Sequence, residues 1–416
     1  KSSPLDFIPT SLLKSCSNTF AIIISRLANM SFEQCCFPTK FKCAQITPLL
    51  KRDGLDPTDP ANYRPVSNLN TVSKVLERLV LKRLVSHVDS SGNVDRLQSA
   101  YRRGCSCETA LLKVTNDIYE AFDKKQTVVL AALDQSAAFD CIEHDTLLHR
   151  LNNMFGINNK ALDWFQSYLD GRSTRVKFEQ YLSNITPLTV GVPQGSSLGP
   201  TLFTLFIAPL STVIEQFGIN HHQYADDTQV YIAADANEFG CQTSRLEECL
   251  KAVHTWLTNN GLSLNPAKTE VLQFSSSRSI PNNSLTSLTV SDAVIVPATS
   301  VKNLGVTLDN HLTFNQHVNN VSKSCYFHIR ALRHVRDSLP DDVARMVASS
   351  IVTSRLDYCN ALFVSMSAAN FNKLQRVQNS LARVVLRLPK HSRITTSLHD
   401  LHWLPVRQRV IFKLAV

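Results

Sequence analysis

Two adjacent aspartates, Asp226 and Asp227, lie between short segments that favour β-strands, and this pattern constrains the fold more than any other stretch. The flanking residues 222–224 and 228–232 are rich in Tyr, Val, Ile and Thr, which are enriched in strands. A tight hairpin would hold both carboxylates at its tip. Adjacent acids repel each other, so such a pair requires a cation or a strongly polar setting. A solvated turn is the alternative, because aspartate is a common turn residue.

A third carboxylate follows a different kind of strand. Residues Thr127–Leu133 (TVVLAAL) are almost all apolar, which predicts a strand buried on both faces, and Asp134 comes directly after them. Two elements of one sheet can bring Asp134 close to Asp226 and Asp227. Together these acids would bind two Mg²⁺ ions, which take oxygen ligands and in pairs support in-line phosphoryl displacement. We interpret the nearby Asp140 as a helix-start or hydrogen-bonding residue.

Positive charge is concentrated in the last quarter of the chain. Residues 323–416 carry 15 Lys and Arg against 5 Asp and Glu, whereas the other 322 residues carry 28 against 29. This asymmetry predicts an acidic partner, with nucleic acid as the leading candidate and an ordinary basic surface as the alternative. The apolar fraction of 44% is sufficient for folded cores and argues against wholesale disorder.

Other sequence features bear on the setting of the protein. The 11 cysteines are scattered without zinc-site spacing, which predicts reduced thiols in an intracellular protein. The most apolar stretch, Leu198–Ile214, contains glycine, two prolines and several hydroxyl residues, so we expect no membrane span. The chain starts on Lys1 and stops within a helical pattern at 407–416, which predicts a segment of a longer polypeptide.

Hydrophobic periodicity predicts a mixture of helices and strands. Helices are predicted in the first forty residues and at 67–84, 108–122, 144–151, 159–169, 198–214, 238–260, 315–336, 341–354 and 370–388. Strands are predicted at 43–50 and 127–133, as a hairpin pair at 172–178 and 185–190, and as a single strand with an internal glycine at 301–308.

Six short motifs occur in a fixed order along the first two thirds of the chain. They are Asn62–Ser67 (NYRPVS), Gln98–Arg102 (QSAYR), Leu133–Asp140, Gly191–Ser196 (GVPQGS), Tyr224–Asp227 (YADD) and Gly261–Lys268. In this order they resemble the reverse transcriptases of LINE-type (non-long-terminal-repeat) retrotransposons, of the jockey-like kind. The chain departs from that pattern at Gln135, at Ala100-Tyr101 and at Cys105 and Cys107.

The resemblance implies an α+β fold, the right-hand polymerase of fingers, palm and thumb. It implies a mainly antiparallel palm sheet and a helical C-terminal region. We expect a helical N-terminal extension at residues 1–42, fingers and palm at 43–308, and a helical thumb with a basic C-terminal region at 309–416.

The resemblance also implies roles for individual residues around a nucleotide. Asp134 and Asp226 would hold two Mg²⁺ ions, for which Mn²⁺ can substitute, with Asp227 as the adjacent acid. Phe139 would lie under the sugar of an incoming nucleotide and exclude a 2′-hydroxyl; a plain core phenylalanine is the alternative. The other residues implied to bind the nucleotide are Lys51, Arg64, Gln194, Gly195 and Lys268.

A second group of residues is predicted to contact nucleic acid. The resemblance implies this for Arg102 and for a hairpin at Leu304-Gly305 that would cradle the primer end. Helical spacing places Lys373, Arg376, Arg383 and Arg387 on one face of a helix from Asn370, opposite an apolar face. These cations would face the phosphates of a template–primer duplex without reading its sequence. A solvated face is the alternative.

The resemblance therefore predicts an RNA-directed DNA polymerase that extends a 3′-hydroxyl primer on an RNA template by two-metal nucleotidyl transfer. Its expected partners are template RNA, a DNA primer or nicked target DNA, and dNTPs, with no membrane and with the endonuclease domain separate or missing. We expect a nuclear location with a cytoplasmic RNA–protein particle stage. The alternatives are a catalytically silent relic or a co-opted RNA-binding protein, and an RNA-templated RNA polymerase, which Phe139 disfavours.

Overall fold

The computed structural model describes residues 3–136, 138–276 and 284–416. Its helices are α1 (Thr10–Ser15), α2 (Ser17–Glu33), α3 (Thr71–Ser91), α4 (Cys107–Asp123), α5 (His144–Asn153), α6 (Asn159–Leu169), α7 (Gly199–Ile207), α8 (Pro209–Glu215), α9 (Phe239–Asn259), α10 (Asn315–Val335), α11 (Asp341–Ala348), α12 (Ser354–Asp357), α13 (Ala368–Val385), α14 (Thr395–Asp400) and α15 (Val406–Ala415). Its strands are β1 (Cys43–Leu50), β2 (Tyr63–Asn68), β3 (Thr127–Leu133), β4 (Gln135–Ser136), β5 (Arg172–Phe178), β6 (Tyr181–Leu182), β7 (Thr186–Leu188), β8 (Asn220–Tyr224), β9 (Asp227–Ala234), β10 (Ser263–Leu264), β11 (Glu270–Phe274), β12 (Leu288–Val290), β13 (Ala293–Ile295), β14 (Ser300–Asn303) and β15 (Val306–Asp309).

These elements form two compact units, each assembled from separated parts of the chain. The first unit comprises Lys1–Tyr101, Asp134–Gln216 and Lys251–Asn265, and the second comprises Arg102–Leu133, Phe217–Leu250 and Pro266–Val416. None of the helices in the described part of the chain is both long and apolar enough to span a bilayer.

The first unit contains a small mixed sheet. β1 pairs antiparallel with β2 and parallel with β5, and β6 and β7 both pair antiparallel with β5. The predicted hairpin pair is confirmed, although its second strand, β7, is shorter than predicted. The helix predicted to start at residue 67 instead begins at Thr71, because β2 continues to Asn68 and the side chain of Asn70 accepts a hydrogen bond from the N–H of Val72 (2.9 Å).

Helices complete the core of the first unit. The indole of Trp164, on α6, stacks on the ring of Tyr168 and donates a hydrogen bond to the Ser31 hydroxyl on α2 (2.9 Å). The apolar stretch predicted as one helix at 198–214 is divided into α7 and α8. Pro209 explains the division, because proline lacks an N–H and crowds the preceding turn.

The second unit is built on a four-stranded antiparallel sheet in the order β11-β3-β9-β8. β3 is paired on both sides, and its apolar residues are almost all buried, as the sequence predicts. The stretch predicted as a single strand at 301–308 is instead the β14–β15 hairpin. Gly305 has a φ of +83° in its turn, a conformation that glycine adopts readily and that a straight strand does not use.

The C-terminal helices of the second unit pack around one apolar core. The predicted apolar side of α13 is buried, as shown by Phe371, Leu374, Val377, Leu381, Val384 and Val385. This helix ends at Val385, three residues earlier than predicted. The helix predicted at 341–354 is interrupted, because a π-helical segment at Ser349–Thr353 separates α11 from α12.

Candidate active site

The β8–β9 hairpin carries the two adjacent aspartates. Tyr224 pairs with Asp227, so the loop consists of Ala225 and Asp226 alone. Ala225 has a φ of +57°, a left-handed conformation that two-residue hairpin loops use because it matches the twist of the strands. The prediction that both aspartates lie at the tip is correct for Asp226, which is half-buried. It is wrong for Asp227, which is the exposed first residue of β9.

The register of β3 on β9 defines where the strands end beside this hairpin. β3 ends at Leu133, which lies opposite Thr228, and both residues are buried. Along the chain, Asp134 is bonded directly to Leu133, and Asp227 is bonded directly to Thr228. The three acids predicted as metal ligands therefore all lie within two residues, along the chain, of this strand pair.

A cavity of about 230 Å³ lies beside Asp227 in the second unit. It is lined by the ends of β3 and β9 and by the turn of the β14–β15 hairpin, with the residues Ala132, Leu133, Asp227, Thr228, Gln229, Lys302, Asn303, Leu304 and Gly305. The hairpin predicted at Leu304-Gly305 is therefore present and lies beside an acid of the candidate site. Its contact with a primer stays a prediction.

Buried polar atoms line this cavity without partners. The Gln229 side chain donates a hydrogen bond to the Asn303 side chain (2.8 Å), which joins β9 to the β14–β15 hairpin. Among the described residues, Gln229 Oε1, Asn303 Nδ2 and Thr228 Oγ1 have no hydrogen-bond partner. An unsatisfied buried polar group is costly, so these atoms are available to bind ordered water or another polar molecule.

Tyr358 supports the turn of the same hairpin. Its hydroxyl donates a hydrogen bond to the Leu304 carbonyl (2.7 Å), and a Cβ added at Gly305 would lie 3.0 Å from the Tyr358 ring. Burial raises the pKa of Tyr358, so the hydroxyl keeps its proton and remains a donor at neutral pH. The turn is thus held against a side chain from a distant part of the sequence.

In the first unit, the Gln194-Gly195 turn runs against β2. The Ser67 N–H donates to the Gln194 carbonyl (2.9 Å). Gly195 has a φ of +138°, and a Cβ added there would lie 2.4 Å from the Ser67 carbonyl oxygen. The structure therefore shows a close approach of Gly195 to β2. The nucleotide-binding role that the resemblance implied for Gly195 stays a prediction.

Asp140 and Phe139 hold the same turn from another side. The Gln194 side chain donates a hydrogen bond to Asp140 (2.7 Å). This bond makes Asp140 a hydrogen-bonding residue, one of the two interpretations that the sequence allowed. Burial raises the pKa of Asp140, and the bond from Gln194 offsets only part of that rise. The Phe139 ring stacks on buried Phe203 with centroids 4.7 Å apart, and the Phe139 carbonyl accepts the Val192 N–H (3.0 Å). Contact of this ring with a sugar stays a prediction.

The cations predicted to bind nucleotide or nucleic acid are distributed over both units. In the first unit, Lys51 donates to the Ala61 carbonyl within its own loop (2.7 Å), and Arg64 is exposed on β2 opposite Leu49. In the second unit, Arg102 is half-buried and Lys268 is exposed between β10 and β11. Each role in binding stays a prediction.

The four cations predicted on one face of the helix from Asn370 do not share one environment in the structure. Lys373 and Arg376 are exposed on α13, and Lys373 donates to the Asn319 side chain. Arg383 is half-buried and donates to the Ser392 carbonyl (3.1 Å). Placing Arg387 on the helix is wrong, because it follows the last residue of α13, has a φ of +53° and pairs with Asp337 (3.4 Å) and Asp341 (3.7 Å).

A buried carboxylate that the sequence reading missed lies next to the Gln194-Gly195 turn. Glu77, on α3, is fully buried and accepts hydrogen bonds from the backbone N–H groups of Ser197 and Leu198. Burial raises the pKa of Glu77 above its usual value, and the positive charge of Arg172 offsets only part of that rise. The signal available in the sequence was an acid at helical spacing from Ser73 and Val80, on a face that is buried.

Comparison with known proteins decides the family. The reverse transcriptase (RNA-dependent DNA polymerase) family model matches residues 49–308, which is more than half of the chain. The chain belongs to the reverse transcriptase family. Enzymes of this family generally use divalent metal ions. The predicted ligands Asp134, Asp226 and Asp227 are carboxylates, and hard divalent cations take oxygen ligands; that these three residues bind such ions stays a prediction.

Relatives of this reverse transcriptase confirm the jockey-like resemblance. It is 28% identical over 373 residues to the RNA-directed DNA polymerase from mobile element jockey of Drosophila melanogaster, with 88% of this chain and 40% of that protein covered. It is 26% identical to the probable RNA-directed DNA polymerase from transposon BS of Drosophila melanogaster, with 99% of this chain and 45% of that protein covered. The chain thus spans less than half the length of these relatives.

A solved structure supports the fold. Apo telomerase from Candida tropicalis matches this reverse transcriptase with a TM-score of 0.50 at 11% identity, and the match covers 90% of this chain and 63% of that chain. The predicted α+β fold class, the right-hand polymerase with an antiparallel palm sheet and a helical C-terminal region, is confirmed.

Proposed function

We propose that this chain is an RNA-directed DNA polymerase of a non-long-terminal-repeat retrotransposon that adds dNTPs to a primer 3′-hydroxyl on an RNA template. The observation that carries the proposal is the antiparallel register of β3 on β9, which ends at Leu133 and Thr228. This register leaves Asp134 and Asp227 as the next residues along the chain, and Asp226 in the adjoining loop. Asp227 is on a paired strand and the other two acids directly adjoin one, and rigid strands support reacting groups better than mobile loops do.

Asp134, Asp226 and Asp227 would hold two Mg²⁺ ions, for which Mn²⁺ substitutes. Such ions supply positive charge that stabilises the attacking and leaving oxygens of an in-line phosphoryl displacement. The half-buried Asp134 and Asp226 act as the principal ligands, and the exposed Asp227 acts as the adjacent acid that adds negative charge. All three must be ionised to bind a divalent ion, because a protonated carboxyl is a poor ligand.

The incoming dNTP would meet residues of the first unit. Arg64 and Lys51 neutralise triphosphate charge, and Lys268, from the second unit, does so near the leaving pyrophosphate. Gln194 and Gly195 present their turn to the nascent base pair. The Phe139 ring, fixed by stacking on Phe203, excludes a 2′-hydroxyl by steric contact, so deoxynucleotides are selected.

Template and primer would meet residues of the second unit. The Leu304-Gly305 turn lies beside Asp227 and would hold the primer end. Arg102, Lys373 and Arg376 would bind phosphates, because such contacts position a duplex independently of sequence. The primer would be a DNA 3′-end or nicked target DNA, with the nick made by an endonuclease outside these residues, and the setting would be nuclear with a cytoplasmic RNA–protein particle stage.

The experiment that tests this function is primer extension on an RNA template with Mg²⁺, comparing dNTPs with rNTPs. Incorporation of dNTPs in preference to rNTPs is expected, together with its loss in Asp226→Asn. Asp235→Asn is the matched control, because Asp235 is exposed and follows the opposite end of β9; this variant should retain activity. Absence of incorporation by the intact chain, with folded protein and on several primed RNAs, would refute the proposal. Equal use of rNTPs would refute the role given to Phe139.

A further inference from the structure

Glu77 is a carboxylate buried in the first unit with no exposed surface. Its Oε2 atom accepts hydrogen bonds from the backbone N–H groups of Ser197 and Leu198 (3.4 Å for Leu198). Its Oε1 atom accepts a hydrogen bond from the Ser73 hydroxyl, one helical turn earlier on α3 (3.2 Å). Both carboxylate oxygens therefore accept hydrogen bonds, and Oε2 accepts only from the segment that follows the Gln194-Gly195 turn.

Burying a carboxylate has a larger desolvation cost than burying an apolar side chain of similar size. Removing a charge from water is unfavourable unless hydrogen bonds and an opposite charge compensate for it. The opposite charge that acts on Glu77 is that of Arg172, which lowers the pKa of Glu77. Arg172 is also buried, donates from Nε to the Tyr168 carbonyl (2.6 Å) and lies over the Tyr168 ring (4.1 Å to the centroid). An apolar residue would avoid this cost, so the arrangement points to a role that an apolar residue could not perform.

The segment held by Glu77 needs an acceptor at this place. Ser197 and Leu198 directly precede α7, which begins at Gly199, and N–H groups at the start of a helix have no acceptor within it. Leu198 is buried, and Ser196 accepts the Gly199 N–H through its hydroxyl (2.9 Å). Glu77 thus supplies from another helix the acceptor that the local sequence does not supply.

The same turn is fixed at its other end by close backbone packing. The Ser67 N–H holds the Gln194 carbonyl (2.9 Å), and Gly195 passes within contact of the Ser67 carbonyl. Residues 194–198 are therefore held between β2 at one end and Glu77 at the other. Release of the Glu77 end would let the turn shift while its β2 end remained attached.

We propose that Glu77 is a positioning residue that sets the conformation of residues 194–198 and thereby places Gln194 and Gly195 against the incoming nucleotide. The effect on the nucleotide rests on the proposed polymerase function. The hold on the turn, meaning the hydrogen bonds by which Glu77 fixes residues 194–198, does not depend on that function. Glu77 touches no reacting atom; it acts through the backbone of Ser197 and Leu198.

Two substitutions at this position separate positioning from simple stability. Glu77→Gln keeps the size and one acceptor oxygen, and its amide can donate to Ser73, so it should retain the turn. Glu77→Leu removes both acceptors. Ser31→Ala is the matched control in the same unit, because it removes the buried acceptor of the Trp164 indole (2.9 Å) without touching the turn. Glu77→Asp, with a carboxylate one methylene shorter, serves if the leucine variant does not fold.

The first readout is amide hydrogen exchange, which needs no activity. Faster exchange at Ser197 and Leu198 in Glu77→Leu, but not in Glu77→Gln or Ser31→Ala, is expected. Unchanged exchange at these two amides in a folded Glu77→Leu or Glu77→Asp protein would overturn the proposed hold on the turn.

The second readout is single-nucleotide incorporation on a primed RNA. Glu77→Leu should raise KM for the dNTP by about tenfold or more, as expected for a misplaced binding group, while Glu77→Gln stays near the wild type. If wild type incorporates dNTPs and Glu77→Leu loses only thermal stability, as Ser31→Ala does, the positioning role is wrong. If wild type itself is inactive while the exchange result holds, the polymerase proposal fails and the hold on the turn stands.

Discussion

Gly195 passes so close to the Ser67 carbonyl that no larger residue fits its place without a backbone shift. An added Cβ would lie 2.4 Å from that oxygen, and the φ of +138° is strained for any other residue. We expect Gly195→Ala to lower dNTP incorporation by about tenfold or more, because Gln194 moves with the turn. Gly240→Ala is the control, since it meets nothing within 4 Å; it should leave the rate unchanged. A fully active Gly195→Ala protein would contradict the tight packing.

His317 gives the second unit a pH-dependent stability. Burial, with a smaller contribution from Lys302, lowers the pKa of His317 to about 4, and its Nδ1 accepts the Thr307 N–H (3.2 Å). The unfolded chain binds this proton near pH 6.5 and the folded chain does not, so stability falls as the pH drops below about 6.5.

The loss expected from His317 between about pH 6.5 and pH 5 is on the order of 2 kcal/mol. His317→Asn keeps an acceptor for Thr307 without a titrating group, and should flatten that part of the curve. Urea unfolding at several pH values measures it. An unchanged slope in His317→Asn would show that His317 does not carry the effect.

Some of these residues could be identified as candidate site residues from the sequence alone, and others could not. Asp134 could be found because it ends an apolar run, and Asp226 because it lies between strand-forming segments. For Glu77 the sequence offers only its helical spacing from Ser73 and Val80. The N–H groups that its carboxylate binds are more than a hundred positions away in the sequence, and local periodicity cannot show them. The ion pairs of Arg387 could not be predicted either, because helical spacing does not show that α13 ends at Val385.

The β14–β15 hairpin depends on a contact from outside its own sequence. Loss of the Tyr358 hydroxyl in Tyr358→Phe removes the bond to the Leu304 carbonyl and should cost about 1 kcal/mol. We also expect weaker binding of the primed template, because Leu304 and Gly305 line the cavity beside Asp227. Thermal unfolding and primer-extension KM measure the two effects. Tyr326→Phe, on α10, is the control, and equal effects of the two variants would argue against the role of this hairpin.

Arg376 and Arg387 were both predicted on one face of α13, but Arg387 lies beyond the end of that helix at Val385. Arg376 is exposed on the helix, whereas Arg387 is paired with Asp337 and Asp341. Arg376→Ala should weaken binding of a template–primer duplex and lower the magnitude of its salt dependence by about one unit of the log–log slope. Arg387→Ala should change the slope less. Fluorescence anisotropy over a range of salt concentrations tests this, and identical slopes for Arg376→Ala and wild type would exclude the contact.

Whole elements were predicted better than their ends. β3 and α6 were predicted with their observed bounds, since each has a clear period and clear flanking residues. Periodicity alone predicts one strand at 301–308, because the turn between β14 and β15 occupies only Leu304 and Gly305 and is too short to interrupt an apolar pattern. The hairpin was predicted only from the family resemblance. α11 and α12 were merged because a π-helical segment keeps the helical period nearly intact.

At the scale of the whole molecule, the order of motifs predicted the fold, whereas the two compact units could not be read from the sequence. Each unit draws on three separated segments, and one boundary falls between Leu133 and Asp134, inside a motif. Pairing between distant strands, such as β1 with β5 and β3 with β11, decides this division. Local periodicity carries no information about such pairings.

The central proposal is that nucleotide addition requires Asp134 and Asp226 together. The most direct measurement is the single-turnover rate of dNTP addition to a primed RNA for Asp134→Asn, Asp226→Asn and the double variant. Each single variant should lose at least about 10³-fold. The double variant should lose little more, because residues that act as a unit are not additive. Single variants within about tenfold of wild type, or losses that multiply in the double variant, would contradict the claim.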